Sequence, residues 1–563
     1  MADRIAEILY LHTYFLFPFS IDKQTVLENH PAPWANNEHW IDGLDGWIAS
    51  HQGVSSSAVE SLLGPWRRES YTRFDLDSPA YQDMVFFHPF VRRVFFDSAD
   101  VARQQGEKES LLRCYTIPVG NGRKVWLQAE DVKGRSASVE VTDLRLFLFA
   151  NGIGVLSLGV EAFHISAAQA LWINESLRKV YPSSGRQVRE GRIPNRMALV
   201  AEWEGKLETI CEETFSEGSM SAFLPPLGRT ITSLLYFTDY KQEEFEPVLD
   251  ERMIVYSYVA LDPSSVDADW IHGEEYQVLL SRFLYVDLYG PSYRYQEGFV
   301  REQMSRQMYR RWAHQGTHYG FTSYSNITAT IGQFECDEHT LREGFLVHRM
   351  FNTRYYLMAL VALFYRATLL DFAERTALVS KRLYLDQEDG KLTPENIRIA
   401  NGLRAEFLHF SNFWYFDELA NKDEEVEHFA LQCDQYRIGP VKKEIEEEIE
   451  KLNASLQDYS AFRNTEAVNR LAMLSLIVGA GAVLTGFFGM NFGRDFARLF
   501  FEPDQSSLAV HYAALALVAL LAFSALGFGL YLVFANWSDY RDILVPRRWR
   551  ERRTRSGGSL KRG

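Results

Sequence analysis

The sequence predicts an α/β domain followed by a helical region, a long stalk helix and two C-terminal transmembrane helices. Three observations carry this reading. Strand-like apolar runs punctuated by turn residues fill the first 290 residues. Helical periodicity dominates from about Gly298 onward. Two uncharged runs of spanning length stand side by side near the C-terminus. The boundaries that follow are 1–290 for the α/β domain, 291–440 for the helical region, and 441–491 for the stalk and first span (471–490). A loop on the far side of the membrane takes 492–507, the second span 508–537, and a basic tail 538–563.

The strand-like runs are Ile5–Phe19, Lys124–Val132, Val139–Ala150, Gly154–Val160, Thr230–Phe237, Met253–Leu261 and Arg282–Leu288. The first is not a secretion signal, because Asp3 and Glu7 precede its apolar part and no small-residue cleavage site follows. Asn151-Gly152, between two of these runs, signals a hairpin. Ser166 stands where an N-cap would open a helix reaching Val180. Further on, Phe345–Phe372 holds the apolar core Tyr355–Tyr365, but Arg349, Arg354 and Arg366 bound it. That stretch is too short to span a bilayer and reads as a buried helix. The aromatic cluster His409–Phe416 reads as core packing. Thr393-Pro394 opens a helix and Gly439-Pro440 breaks one. From Val441 the chain continues into the first span without another Pro, and Ile445, Ile449, Leu452, Leu456 and Tyr459 form a seam at heptad-like spacing.

Leu471–Met490 contains no charge, and neither does the run from Tyr512 to Phe534. Twenty helical residues rise about 30 Å, the thickness of a bilayer core. Flanking charge sets the orientation. Lys442, Lys443, Lys451, Arg463 and Arg470 precede the first span, whereas the loop holds only Arg494 and Arg498. Arg541–Gly563 carries nine Lys/Arg against two Asp/Glu. Both termini are therefore expected in the cytoplasm, with the chain in the cell (inner) membrane. The net charge of −15 leaves residues 1–540 at −22 once that tail is set aside, which argues against nucleic-acid binding and suits a body that attracts cations. Cys114, Cys211, Cys336 and Cys433 lie far apart, so neither a disulfide framework nor a cysteine zinc module is expected.

No phosphate-binding loop, zinc-protease motif or nucleophile elbow is present, and the chain is not expected to be an enzyme. The informative segment is Thr485–Gly493, TGFFGMNFG, at the outer end of the first span. Its triplet Gly489-Met490-Asn491, preceded by Phe488 and closing the first of two C-terminal spans, resembles the CorA family of divalent-cation channels and transporters. The resemblance covers about Val441 to Trp537. It implies a homopentamer in a lipid bilayer, an α/β cytoplasmic domain, a central pore lined by the first span, and Mg²⁺ as cargo. Val468 and Leu471 fall where the family carries bulky pore residues, which could gate by dewetting.

The residues add a physical account. Ala472, Ser475, Gly479, Ala482, Gly486 and Gly489 recur at 3 and 4, a stripe of small residues that serves close helix packing or a pore lining. Mg²⁺ gives up water reluctantly, so a pore can recognise its hydration shell, and the side-chain carbonyl of Asn491 accepts hydrogen bonds from such water. Asp423, Glu424, Glu425 and Glu427 form an acidic cluster before the stalk. It reads either as a solvated face or as a regulatory Mg²⁺ site between subunits. Gly479-Ala480-Gly481 stands where many magnesium-transporting members have a proline, and Arg494 follows the triplet before Asp495. Two alternatives therefore stay open: a zinc exporter of the ZntB branch, and a membrane effector whose large N-terminal domain binds a cytoplasmic ligand or partner and opens the pore. No organic cofactor is inferred.

Overall fold

The computed structural model describes residues 6–29, 40–50, 58–69, 86–95, 111–120, 122–180, 188–191, 193–214, 227–249, 252–266, 270–289, 295–331, 346–388 and 392–489. It also describes nine single positions between 513 and 531. Two compact units divide the chain, Met1–Asn453 and Ala454–Gly563.

The first unit is built on one mixed sheet. Its strands are β1 (Glu7–Ile21), β2 (Arg67–Arg68), β3 (Leu112–Thr116), β4 (Arg123–Glu130), β5 (Ser136–Phe149), β6 (Ile153–Ser166), β7 (Arg196–Trp203), β8 (Lys206–Thr214), β9 (Phe245–Pro247), β10 (Ile254–Leu261), β11 (Met308–Tyr309), β12 (His318–Phe321) and β13 (Ser325–Ile331). The order is β11-β12-β13-β10-β1-β6-β5-β4-β7-β8, with β3 and β2 branching from β5 and β9 lying on β1. β10 and β13 run parallel, whereas β1 pairs antiparallel with both β6 and β10.

Chemistry explains why β1 sits at the centre. Its residues are buried almost without interruption, so both faces need cover, as in the middle strands of a two-layered sheet. Leu11, Phe15, Phe17 and Phe19 join the main core on one face. That face is covered by α1 (Ala167–Leu177) and α2 (Glu274–Tyr285). Thr13 turns to the same side, and its hydroxyl donates to Asn174 Oδ1 at 2.9 Å. Tyr10, His12 and Tyr14 point to the opposite face, where α3 (Leu346–Asn352) and α4 (Arg354–Glu388) lie. Towards the C-terminus follow α5 (Pro394–His409), α6 (Asp423–Gln435) and α7 (Ile438–Gly489).

The stretch Val347–Asp386, through α3 and α4, is long and apolar enough to cross a membrane by length and composition, and 78% of its most apolar window is buried. Tyr355 to Leu363 are each at most 2% exposed. Tyr356 donates to Ser157 Oγ of β6 at 2.7 Å, the Phe364 ring stacks on Phe149 of β5 at 4.2 Å, and Thr368 Oγ1 accepts from Asn151 at 2.9 Å. This helix is the second layer on the sheet, the buried helix that its bounding arginines predict.

Local signals place several element ends. Ser166 caps α1 by accepting from the Gln169 amide at 3.2 Å, and Thr393 caps α5 with Pro394 in the first turn. The β5–β6 hairpin turns at Asn151-Gly152, where Gly152 takes φ 99° and an added Cβ would stand 3.0 Å from the Ile21 carbonyl oxygen. The helix break falls at Arg437, whose φ is 55°, and Gly439-Pro440 then lies in the first turn of α7.

Three expectations need correction. Thr230–Phe237 is not a strand. Arg229–Leu234 is helical, burying Ile231 and Leu234 three residues apart. Its β-branched residues misled, because tertiary packing overrides propensity. Arg282–Leu288 is not a strand either, since α2 reaches Tyr285 and its buried Tyr276, Leu279, Leu280, Phe283 and Leu284 follow the helical period. The sheet also continues past residue 290, into β11–β13.

Gly159 on β6 is the point where the sheet lets a large side chain lie across it. A Cβ there would stand 2.9 Å from the Tyr14 ring and 3.0 Å from Asp143 Cβ. Gly159→Val is expected to destabilise the protein by about 1–3 kcal/mol, the usual range for overpacking. Thermal unfolding of the full chain in detergent checks this, and an unchanged midpoint would refute it.

Candidate functional site

α7 is one helix of 52 residues. Its first part buries Ile445, Ile449 and Leu456 and half-buries Leu452 and Tyr459, the five residues of the heptad-like seam. Glu444, Glu446, Glu447, Glu448 and Glu450 face outward there, with loose ion pairs from Lys442 to Glu446 (3.8 Å) and from Lys443 to Glu447 (4.0 Å).

The last part carries the sequence-predicted site. Val468, Leu471, Ala472, Ser475, Gly479, Ala482 and Gly486 all lie on α7 and are all exposed in the single chain. At 100° per residue these positions and Gly489 fall within an arc of about 100°. Val468 and Leu471 are both 64% exposed, as is Val478 beside them. A Cβ added at Gly479, Gly481 or Gly486 would meet nothing within 4 Å among the described residues. Thr485, beside the arc, turns its hydroxyl back to the Gly481 carbonyl at 2.9 Å. Gly489 is the last residue of α7; Met490 and Asn491 lie outside the described residues. The second span also lies outside them, apart from helical single positions such as Ala513, Leu517, Leu520, Ser524, Phe528 and Tyr531.

The acidic cluster is held differently from a shared metal site. Asp423, Glu424 and Glu425 occupy the first turn of α6, where the helix dipole favours carboxylates. Asp423 is exposed. Glu425 is buried and accepts from Arg354 Nη1 at 2.6 Å. Glu424 accepts from Trp312 Nε1 at 2.7 Å and from the Tyr355 hydroxyl at 3.0 Å. Glu427 accepts from the Tyr309 hydroxyl at 2.6 Å and from Arg311 at 3.3 Å. Burial, together with that bond, pushes the Tyr309 hydroxyl up to about 12. Three of the four carboxylates thus serve separate partners in their own chain. Among the described residues, no group of three or more His, Cys, Asp or Glu side chains is placed to hold a metal ion.

Two polar centres carry no sequence signature. Between β1 and α3, the Tyr10 hydroxyl, His12 Nδ1 and His348 Nε2 stand 3.0–3.2 Å from one another, with Glu161 Oε1 3.8 Å from His12. On α6, His428 is buried among the rings of Tyr319, Phe321 and Tyr355, with centroids 5.2, 4.7 and 4.4 Å away. Burial in that aromatic setting pushes the His428 pKa down to about 3. No protein-family model, curated protein or solved structure matches the chain.

Two outcomes follow from these side chains. Glu425→Gln removes the buried carboxylate that accepts from Arg354 at 2.6 Å and is expected to cost about 3–5 kcal/mol, as for other broken buried pairs. The exposed Glu427→Gln is expected to cost less than about 1 kcal/mol. Thermal midpoints measured side by side check the contrast, and equal small shifts would refute it. The second outcome concerns acid. Between pH 6.5 and about 3 the unfolded chain protonates His428 while the native chain does not, so the unfolded state binds more protons and stability falls as pH drops through that window. His318, pushed down to about 4 by burial and by Arg310, acts in the same direction. His428→Phe should flatten the acid limb of a plot of thermal midpoint against pH; an acid limb as steep as in the parent protein would exclude this role.

Proposed function

We propose that the chain is a divalent-cation channel, with Mg²⁺ as its principal cargo, whose pore forms where several copies bring the last part of α7 together. The observation that carries this reading is the arc of small residues, Ala472, Ser475, Gly479, Ala482 and Gly486. It is exposed along one helix face and leads to Gly489, after which the sequence continues Met490-Asn491. An apolar helix face left bare in a single chain needs cover from lipid or from other helices. Small residues along it let backbones approach, and in a ring they leave a central path. Val468 and Leu471, bulky and exposed below the arc, would narrow that path into an apolar constriction that closes by dewetting.

In this reading the copies form a homopentamer in the cell membrane with both termini cytoplasmic. Cation entry is driven by the membrane potential. Asn491 would ring the outer mouth and accept hydrogen bonds from the cargo's water shell rather than replace it. The geometry of Glu424, Glu425 and Glu427 favours a structural duty over a regulatory metal site, because each already serves a partner in its own chain.

The test is ion flux into liposomes holding the purified full chain, with Mg²⁺, Zn²⁺, Co²⁺ and Ni²⁺ compared. Mg²⁺ influx down an imposed potential is expected. Asn491→Ala is expected to lose preference for divalent over monovalent cations while the particle keeps its mass. Gly479→Leu is expected to reduce flux to background. Among the described residues nothing lies near a Cβ at Gly479, so a block is read together with the mass of the particle, which reports whether assembly is kept. No divalent flux from the parent protein, or normal selective flux through both variants, would overturn the reading.

A further inference from the structure

A pair of side chains on a strand and a pair on a helix converge inside the first unit. On β1, Tyr10 and His12 are two residues apart and share a face of the sheet. On α3, His348 and Asn352 are four residues apart and share a face of the helix. His348 Nε2 stands 3.0 Å from His12 Nδ1, 3.2 Å from the Tyr10 hydroxyl and 3.2 Å from Asn352 Nδ2. The Tyr10 hydroxyl and His12 Nδ1 are 3.2 Å apart. Tyr10, His12 and His348 have other partners as well; what marks the group is that its donor atoms crowd one point.

Hydrogen bonding alone accounts poorly for this crowding. An imidazole nitrogen carries either one proton or one lone pair. His348 Nε2 can therefore direct one strong bond, yet three polar atoms stand within 3.2 Å of it. Donor atoms arranged around a cation meet no such limit, because every lone pair points at the same centre. The spacing fits as well. With metal–ligand bonds of about 2.0–2.1 Å, neighbouring ligands stand about 3.3 Å apart in a tetrahedron and about 2.9 Å apart in an octahedron. The triangle of Tyr10, His12 and His348 has sides of 3.0–3.2 Å. Asn352 can offer its Oδ1 by a half-turn of the carboxamide; the present partner of that oxygen, the Tyr14 hydroxyl at 3.3 Å, can accept as well as donate. Tyr10, His12 and His348 are each at most 3% exposed. Rings of Phe163, Tyr258 and Phe351 pack around them and exclude water. Glu161, opposite His12 on β6, places Oε1 3.8 Å from His12 Nδ1, a further oxygen within a short side-chain movement.

We propose that Tyr10, His12, His348 and Asn352 hold one transition-metal ion of the Zn²⁺ class between β1 and α3. Two imidazole nitrogens suit Zn²⁺, Co²⁺ or Ni²⁺ and disfavour Mg²⁺, which takes oxygen ligands. Both histidines bind as neutral rings, and the Tyr10 phenol proton leaves to solvent as the ion enters. Groups of His, Cys, Asp and Glu alone do not reveal this site, because tyrosine and asparagine supply half of its donors. The ion ties α3 to the central strand, a structural duty separate from the cargo path. The site lies in the first unit, whereas the channel reading rests on the last part of α7, so either can fail without the other.

The experiment is metal analysis of the purified full chain in detergent, produced with added Zn²⁺ or Co²⁺ and then washed with EDTA. About one Zn²⁺ per chain is expected to survive the wash, and the protein produced with Co²⁺ is expected to show the visible absorption bands of the bound ion. His12→Gln and His348→Gln are expected to lose both. Tyr10→Phe removes one oxygen and keeps the ring; it is expected to lower the retained metal about tenfold and to shift the cobalt bands. If the histidine variants do not fold, Tyr10→Phe decides. A parent protein without retained Zn²⁺ and without cobalt bands overturns the proposal. So do folded variants that keep the retained metal and the spectrum of the parent, since the metal then sits elsewhere.

Discussion

The first unit depends on one constraint: the central strands β1, β6 and β10 bury both of their faces. A strand of this kind cannot alternate apolar with polar residues, and it cannot stand at a surface. Two helical layers must therefore exist, and the residues of β1 show what each must offer. Leu11, Phe15, Phe17 and Phe19 call for an apolar layer, which α1 and α2 supply. Tyr10, His12 and Tyr14 carry polar atoms into the opposite layer, so α3 and α4 must return hydrogen bonds as well as apolar area. They do so through His348, Asn352 and Tyr356. An unpaired polar atom at this depth would cost about 1–3 kcal/mol, which is why those helices cannot be uniformly aliphatic.

The same constraint separates two helices that composition makes alike. The stretch through α4 and the last part of α7 are both apolar over a spanning length. α4 is apolar because the sheet needs a second layer, and its Tyr356 reaches Ser157 on β6. The last part of α7 exposes Val468, Leu471, Leu474 and Val478 by 43–64% each. At about 25 cal/mol per Å² of apolar surface, leaving such a face in water is strongly unfavourable. Hydropathy alone cannot tell these cases apart; the arginines that bound Tyr355–Tyr365 can, because a charge every ten or so residues is tolerable in a soluble layer and costly in a bilayer core.

What the sequence made legible followed local chemistry. Ser166 and Thr393 announced helix starts because a capping hydroxyl acts within three residues. Asn151-Gly152 announced the hairpin because only such a pair takes the backbone angles of the turn. The long helix ending at Gly489 was readable because no proline follows Pro440 within it, although it begins at Ile438, just after the break at Arg437. What stayed hidden was long-range. β8 carries Glu, Lys and Thr at a sheet edge and lacks an apolar alternation, so its pairing with β7 has no local signal. The helical nature of Arg229–Leu234 depends on what Ile231 and Leu234 pack against, which no local window contains. The acidic run on α6 looked like one feature because charge is additive along a sequence. In space it divides, since Glu425 turns inward to Arg354 while Asp423 stays in solvent. His12 and His348 are 336 residues apart, and nothing in either neighbourhood predicts the other.

The small-residue arc can be weighed by the same reasoning. From Ala472 to Gly489 the helix rises about 26 Å, close to the thickness of a bilayer core. A cation crossing that distance without its water would meet a dielectric penalty far larger than a few carbonyls could offset. On the proposed reading, a path along this arc suits a hydrated ion. Glycine and alanine would leave it room, and no carboxylate along the arc would hold a divalent cation too tightly to leave. Selection on such a path belongs at its end, where one side-chain carbonyl per copy can count the water shell, while a bulky pair such as Val468 and Leu471 suits the opposite end, because an apolar constriction stops a hydrated ion only where nothing polar can replace the water it must shed.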